Sequence, residues 1–215
     1  MKIYDISVPI QPGMPIWPGD PPVILEKISK ITEGENANIT QIQMCVHTGT
    51  HIDAPNHFFA DGKTLDQLSP KSFFGEVLVI EIGEEVDLIS AQVLASHSQV
   101  DKLKLSDRVL FKTRNSKLWQ LHPHSFQRNY VGLDASAAEF LAELNFNLIG
   151  LDYLSIASYD DTLRPHQILL SQDIILLEGL NLTDVTPGQY QLCCAPLLIA
   201  GCEGAPARAF LLQYP

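Results

Sequence analysis

Hydrophobic and polar positions fall along this chain in three kinds of pattern. The first is a set of short, strongly apolar runs rich in β-branched residues, at 77–82, 108–113, 147–151 and 174–178. Runs of this kind predict strands buried on both faces. The second is alternation: Ile42, Met44 and Val46 interleave with Gln41, Gln43 and Cys45. That period of two predicts a half-buried strand over 39–46, pairing within the same sheet. Further strands are expected at 2–8, 23–31, 190–199 and 208–212. The third pattern is helical spacing. Ser136-Ala-Ala-Glu139 reads as a capping box, and Phe140, Leu141 and Leu144 follow it on one face,. Shorter helices are expected at 90–96 and 163–170.

Between the first two strands lies a proline-rich excursion over 9–22, Pro-Ile-Gln-Pro-Gly-Met-Pro-Ile-Trp-Pro-Gly-Asp-Pro-Pro. With this density of fixed φ angles and missing donors it can be neither a helix nor a central strand. Strands and helices otherwise alternate without linker, repeat or low-complexity segment. The expectation is an α/β fold, one β-rich domain over residues 1–215 with a central mixed sheet and flanking helices.

Composition narrows the choice of partners. With 46% hydrophobic and 18% charged residues the chain reads as an ordinary globular protein, and its formal net charge of -11 argues against nucleic acid or an anionic membrane as partner,. The opening Met-Lys-Ile-Tyr-Asp lacks the apolar core of a signal peptide, and no apolar run approaches membrane-spanning length,. A cytoplasmic location is therefore expected. Cys45, Cys193, Cys194 and Cys202 form no CxxC pair, so buried, reduced thiols are expected, with Cys193 and Cys194 on opposite faces of a strand.

The chemistry concentrates in His47-Thr-Gly-Thr-His51-Ile-Asp53-Ala-Pro-Asn-His57. Imidazole nitrogens and carboxylate oxygens suit Zn²⁺ or Mn²⁺, and His47, His51 and Asp53 supply the three protein ligands that catalytic zinc typically takes. Gly49, Pro55 and the β-branched Thr48, Thr50 and Ile52 oppose a helix here. A straight strand would separate the first two histidines by roughly 13 Å, too far to share an ion. The chain must curl, Gly49 permits it, and the ligands are expected on the loop leaving the 39–46 strand. His57, outside the three-ligand count, has the chemistry of a general acid or base. His166 and Glu178 are less telling: on their residues alone they read more readily as a helix-cap residue and a solvent-facing strand end than as ligands. His122 and His124 match no motif and are expected on a loop or pocket rim.

The segment is similar to the signature His-x-Gly-Thr/Ala-His-x-Asp-x-Pro-x-His of the cyclase family of metal-dependent hydrolases, which includes bacterial arylformamidases. His47, Gly49, Thr50, His51, Asp53, Pro55 and His57 match every fixed position. The opening Tyr-Asp-Ile-Ser-Val-Pro-Ile, the Trp17-Pro18-Gly19-Asp20 segment, the His166 and Glu178 pair and the closing Pro-Gly-Gln-Tyr with Cys-Ala-Pro-Leu also have counterparts there. The resemblance implies the family's swivelling β/α fold and a binuclear centre, with two Zn²⁺ or Mn²⁺ ions held by His47, His51, a bridging Asp53, His166 and Glu178. It implies that His57 is the catalytic imidazole and that the protein is a homodimer or homotetramer, whose proline-rich excursion can reach a partner's active site. Trp17 is then either a face on which an aryl substrate stacks or a core plug.

The activity so implied is hydrolysis of a small amide by metal-activated hydroxide. N-formyl-kynurenine, giving kynurenine and formate, is the first candidate. A cyclic imide or another small amide is the alternative, and a metal-binding interaction module is the non-enzymatic one. His57, which metal binding alone does not require, favours an enzyme.

Overall fold

The apolar runs become strands, and their two-sided hydrophobicity has a direct cause: each lies between two cores. In the computed structural model, which describes residues 1–214, β5 (Phe74–Glu81) turns Leu78 and Ile80 to one core and Val77 and Val79 to the other. The next strand, β7 (Arg108–Lys112), does the same with Val109 and Phe111 on one side and Leu110 on the other. The first core is closed by α1 (Ala91–Ala95), α2 (Val100–Leu103), α4 (Ala135–Ala142) and α5 (Leu163–Leu170). The second fills the interior of a barrel.

The main sheet runs β1-β12-β11-β5-β7-β9-β10-β4, with β1 at Lys2–Asp5, β4 at His51–Asp53, β9 at Leu148–Leu151, β10 at Ile175–Glu178, β11 at Gly188–Pro196 and β12 at Gly204–Gln213. Strands β5, β7, β9 and β10 are mutually parallel; the remaining pairings are antiparallel. The sheet is mixed, as the element pattern predicts. Strand β4 also pairs with β12, so the seven strands from β12 round to β4 close into a barrel. Periodicity gave no hint of this closure, because three residues are too few to show a period.

Three expectations are corrected. The alternating segment forms β3 (Ile39–Gln43), which pairs only with β2 (Ile24–Ser29) in a separate ribbon, and every β3 residue is exposed. Its apolar face meets solvent rather than the core. His51 and Asp53 lie on a barrel strand, not on a loop leaving β3. Helix α4 is capped by Asp134, whose carboxylate accepts from Ala137 N–H, while Ser136 lies in the first turn and its hydroxyl donates to Asp134 at 2.7 Å. An aspartate two residues upstream outcompetes the serine because it is the stronger acceptor at the positive helix end.

The short helices at 90–96 and 163–170 are present as α1 and α5, with Ser90 capping α1. A small parallel pair, β6 (Leu88–Ile89) with β8 (Gly132–Leu133), and α3 (Leu118–Leu121) complete the elements used here. The expected burial of the cysteines is a further correction: only Cys194 is buried, Cys45, Cys193 and Cys202 are partly exposed, and all four are free thiols. Among the described residues no helix is long and apolar enough to cross a membrane.

Candidate metal centre

Strand β4 places two of the ligand types by alternation alone. His51 and Asp53 share one face of the strand, while Ile52 points the other way into the barrel core,. Glu178, at the end of β10, sits directly opposite His51 in the antiparallel register. His166 comes from α5, where it is buried one residue after Pro165.

His47 stands in the turn before β4, and glycine makes that turn possible. Gly49 adopts φ +68°, with the side chains of Val8, Ile10 and Met14 packed around it. Gly179 approaches so closely that a Cβ there would lie 1.9 Å from the Gly49 carbonyl oxygen. Thr50 fastens the turn, its hydroxyl donating to the Gly179 carbonyl at 2.6 Å and accepting from Val8 N–H at 2.9 Å. The predicted curl therefore exists, and tertiary contacts hold it.

The five side chains converge. His47 Nδ1 lies 2.8 Å from Asp53 Oδ1; His51 Nε2 is 3.4 Å from the same oxygen and 3.3 Å from Glu178 Oε2. His166 Nε2 is 3.1 Å from Glu178 Oε1 and 3.8 Å from Asp53 Oδ2. Two ligand-competent groups result, His47-His51-Asp53 and Asp53-His166-Glu178, each with its donor atoms within 4.8 Å of one another and Asp53 common to both.

The electrostatics of the cluster suit a cation. Burial alone would push the Asp53 carboxyl up, but the His47 and His51 imidazoles outweigh it and hold Asp53 well below the usual carboxylate range,. Glu178 is also lowered: burial and the Asp53 charge oppose ionisation, and His166 and His51 overcome both. Burial depresses the imidazoles too, yet Asp53 and Glu178 hold His51 well above its ordinary value, and Glu178 with Asp53 raises His166. Asp53 Oδ2 and His47 Nε2 are buried without a hydrogen-bond partner among the described residues. Two ionised carboxylates, imidazoles and an orphaned carboxylate oxygen are a donor set that fits a divalent metal.

His57 is placed differently. Its ring stacks on His47 with centroids 4.0 Å apart, but it belongs to neither ligand group. Burial lowers its affinity for a proton and so favours the neutral imidazole. It lines a cavity of about 220 Å³ together with His47, His51, His166, Glu178 and Trp17. Trp17 is half-buried and packs against Phe126 and Tyr159 at centroid distances of 5.2 and 5.5 Å. The indole thus contributes to the cavity lining while Phe126 and Tyr159 buttress it.

Asp20, Phe58, Ser155 and Thr162 also line this cavity, and none was singled out as a site residue by sequence reasoning. Asp20 falls within the Trp17-Pro18-Gly19-Asp20 match; the others carry no sequence signal. Glu203 lies 3.6 Å from His47 Nε2 and was missed as well. His122 and His124 are exposed and outside the cavity, His124 facing the Gly13 carbonyl at 3.0 Å.

Known proteins share this arrangement of sequence. The Cyclase family model matches residues 4–158. The chain belongs to the cyclase family. Cyclase-like protein 3 of Arabidopsis thaliana is 36% identical over 99% of this chain and 80% of its own length. The kynurenine formamidase of Erythrobacter litoralis is 33% identical over 100% of this chain and 95% of its own. Among solved structures, a potential metal-dependent hydrolase with cyclase activity superposes with a TM-score of 0.82 at 31% identity, covering 100% of this chain and 99% of that one. The protein is accordingly a cyclase-family hydrolase.

Proposed function

We propose that this cyclase-family hydrolase cleaves the C–N bond of a small N-formylated aryl amine, with N-formyl-kynurenine, giving kynurenine and formate, as the leading substrate. The observation that carries the reading is the presence, around one cavity, of the ligand histidines, a non-ligand imidazole and an aromatic side chain. The formamidase relative, which spans the whole chain, supports it.

His47, His51 and Asp53 would hold one divalent ion, and Asp53, His166 and Glu178 a second, either Zn²⁺ or Mn²⁺. Ions bound there would acidify water and polarise the formyl oxygen. The chain's own residues do the rest. Asp53 and Glu178, held in ionised form against the cost of burial by the imidazoles that face them, keep the two groups in register. His57, neutral and beside the ligand set, takes a proton from the attacking water as the C–O bond forms. It returns that proton to the departing nitrogen as the C–N bond breaks. An arylamine leaves poorly as an anion, so this delivery matters as much as the attack. Trp17 offers a stacking face, and the small cavity limits the substrate's size,.

The assembly proposed is a homodimer or homotetramer. Its support is the β2–β3 ribbon, which exposes Ile24, Leu25, Ile28, Ile39 and Ile42 together,; light scattering on the purified protein would report its size. The activity is tested by assaying metal-loaded protein on N-formyl-kynurenine, a neutral formanilide and a panel of cyclic imides. Formate release from the arylformamides should dominate, and selective opening of a cyclic imide would reassign the substrate.

A further inference from the structure

The three histidines of the ligand set do not solve the same problem in the same way. A metal-bound imidazole has a second ring nitrogen whose N–H needs an acceptor, and that acceptor fixes both tautomer and ring orientation. For His51, Nδ1 faces the Gly49 carbonyl at 2.9 Å, leaving Nε2 for the carboxylates. For His166, Nδ1 faces the Thr162 carbonyl at 2.5 Å, again leaving Nε2. His47 is reversed. Its Nδ1 points to Asp53, and its Nε2 is buried without a partner.

The acidic group nearest to that orphaned nitrogen is Glu203, with Oε1 at 3.6 Å. This is just longer than a hydrogen bond, and a carboxylate about 40% exposed can close the gap by rotating its side chain,. The backbone carrying it is fixed. Ala54 N–H donates to the Glu203 carbonyl at 2.8 Å, and the next residue, Gly204, pairs with Asp53 across the barrel seam. Gly204 also makes room: a Cβ there would lie 2.7 Å from His47 Cε1. The imidazole is thus seated on bare backbone, with the His57 ring stacked on it and Glu203 beside its free nitrogen.

We propose that Glu203 is a positioning residue for the metal centre, accepting a hydrogen bond from His47 Nε2–H so that Nδ1 is presented to the ion. It replaces with a side chain the backbone carbonyl that serves the other two histidines. The inference rests on the metal-centre reading.

The test is a competition titration of chelator-stripped protein with Zn²⁺. Glu203→Ala should weaken one class of Zn²⁺ site by about 10- to 100-fold, the usual cost of an outer-shell partner. Glu203→Met, which keeps the stem but offers only a weak sulfur acceptor in place of the carboxylate, should behave alike, and Glu203→Gln, which keeps an acceptor oxygen, should stay within about threefold of wild type by the same reasoning. In the zinc-loaded protein a protected His47 Nε2–H signal should appear in ¹⁵N-resolved spectra of wild type and the glutamine variant and vanish in the methionine variant. Unchanged Zn²⁺ affinity in both Glu203→Ala and Glu203→Met, or a glutamine variant as weak as alanine, would overturn the proposal while leaving the metal centre standing. A wild type that binds no Zn²⁺ would overturn the metal centre and this role with it.

Discussion

Two sets of buried carboxylates lie at the ends of neighbouring strands and meet the cost of burial in opposite ways. Asp53 and Glu178 face imidazoles and are held in ionised form. Asp152, just beyond the end of β9, faces only dipoles: it accepts from Thr113 N–H and hydroxyl and from Ser116 N–H and hydroxyl, at 2.7 to 3.1 Å. Those four donors do not offset its desolvation, and its carboxyl is pushed up to about 6. Burial and hydrogen bonding are common to both sets. What separates a candidate metal centre from a structural joint is the kind of partner, groups that carry or are replaced by positive charge against groups that only orient.

The sharpest way to break this contrast is to remove the shared ligand. Asp53→Ala should abolish both ion groups and with them activity, lowering Zn²⁺ affinity by more than the roughly 100-fold cost of an outer-shell loss. Metal analysis and the formate assay check it. Stoichiometric metal in that variant would show that Asp53 is no more a ligand than Asp152 is.

Next in size is His57, which shares the ionic neighbourhood without joining a ligand group. His57→Ala should keep its metal while kcat falls on the order of 10² to 10⁴. Loss of metal would instead make His57 a ligand.

On the structural side the measurable quantity is a pH slope. The Asp152 carboxyl sits at about 6 in the native chain against 3.8 for a free one, so between those values the native state binds more protons than the unfolded state. Its contribution is complete below about pH 4 and lost as pH rises through about 6, a change on the order of 3 kcal/mol. Asp152→Asn can keep the network, since the Thr113 hydroxyl can turn to accept from the new amide. Its stability relative to wild type should therefore improve steadily from pH 4 to about 6 and then level off, as read from urea midpoints. A constant difference across that range would mean that Asp152 is charged throughout, like Asp53.

The smallest effect expected is at the cavity's aromatic wall. Trp17→Ala should raise KM for an aryl formamide while sparing a small aliphatic one, by roughly 0.5 to 1.5 kcal/mol in transition-state binding. A loss of about 3 to 5 kcal/mol in stability, with both substrates harmed alike, would identify a core plug instead.

The sequence made one of these carboxylate sets conspicuous and hid the other. His47, His51, Asp53 and His57 stand within eleven residues and share ligand chemistry, so the cluster was readable before any fold was known. The apolar strand ending in Glu178 was readable too, but its meeting with His51 depends on a cross-barrel register that no local pattern encodes. Asp152 and Glu203 gave no signal, because their partners come from distant segments and hydroxyl, amide and lone carboxylate groups occur everywhere. The alternation in 39–46 was real and its inferred burial wrong for β3: period two reports that one face differs from the other, not what covers it,.

Strand β4 has a consequence for the order in which the molecule assembles. It is only three residues long, yet it clasps β10 on one side and β12 on the other. Both partners lie far downstream, so the clasp consists wholly of non-local pairings, the slowest kind to form. During synthesis the amino-terminal histidines leave the ribosome long before residues 204–206 exist to seat them. The seat of the candidate centre is therefore complete only with the last strand, and an ion bound there would be captured at the end of folding, when binding can lock the seam by mass action,.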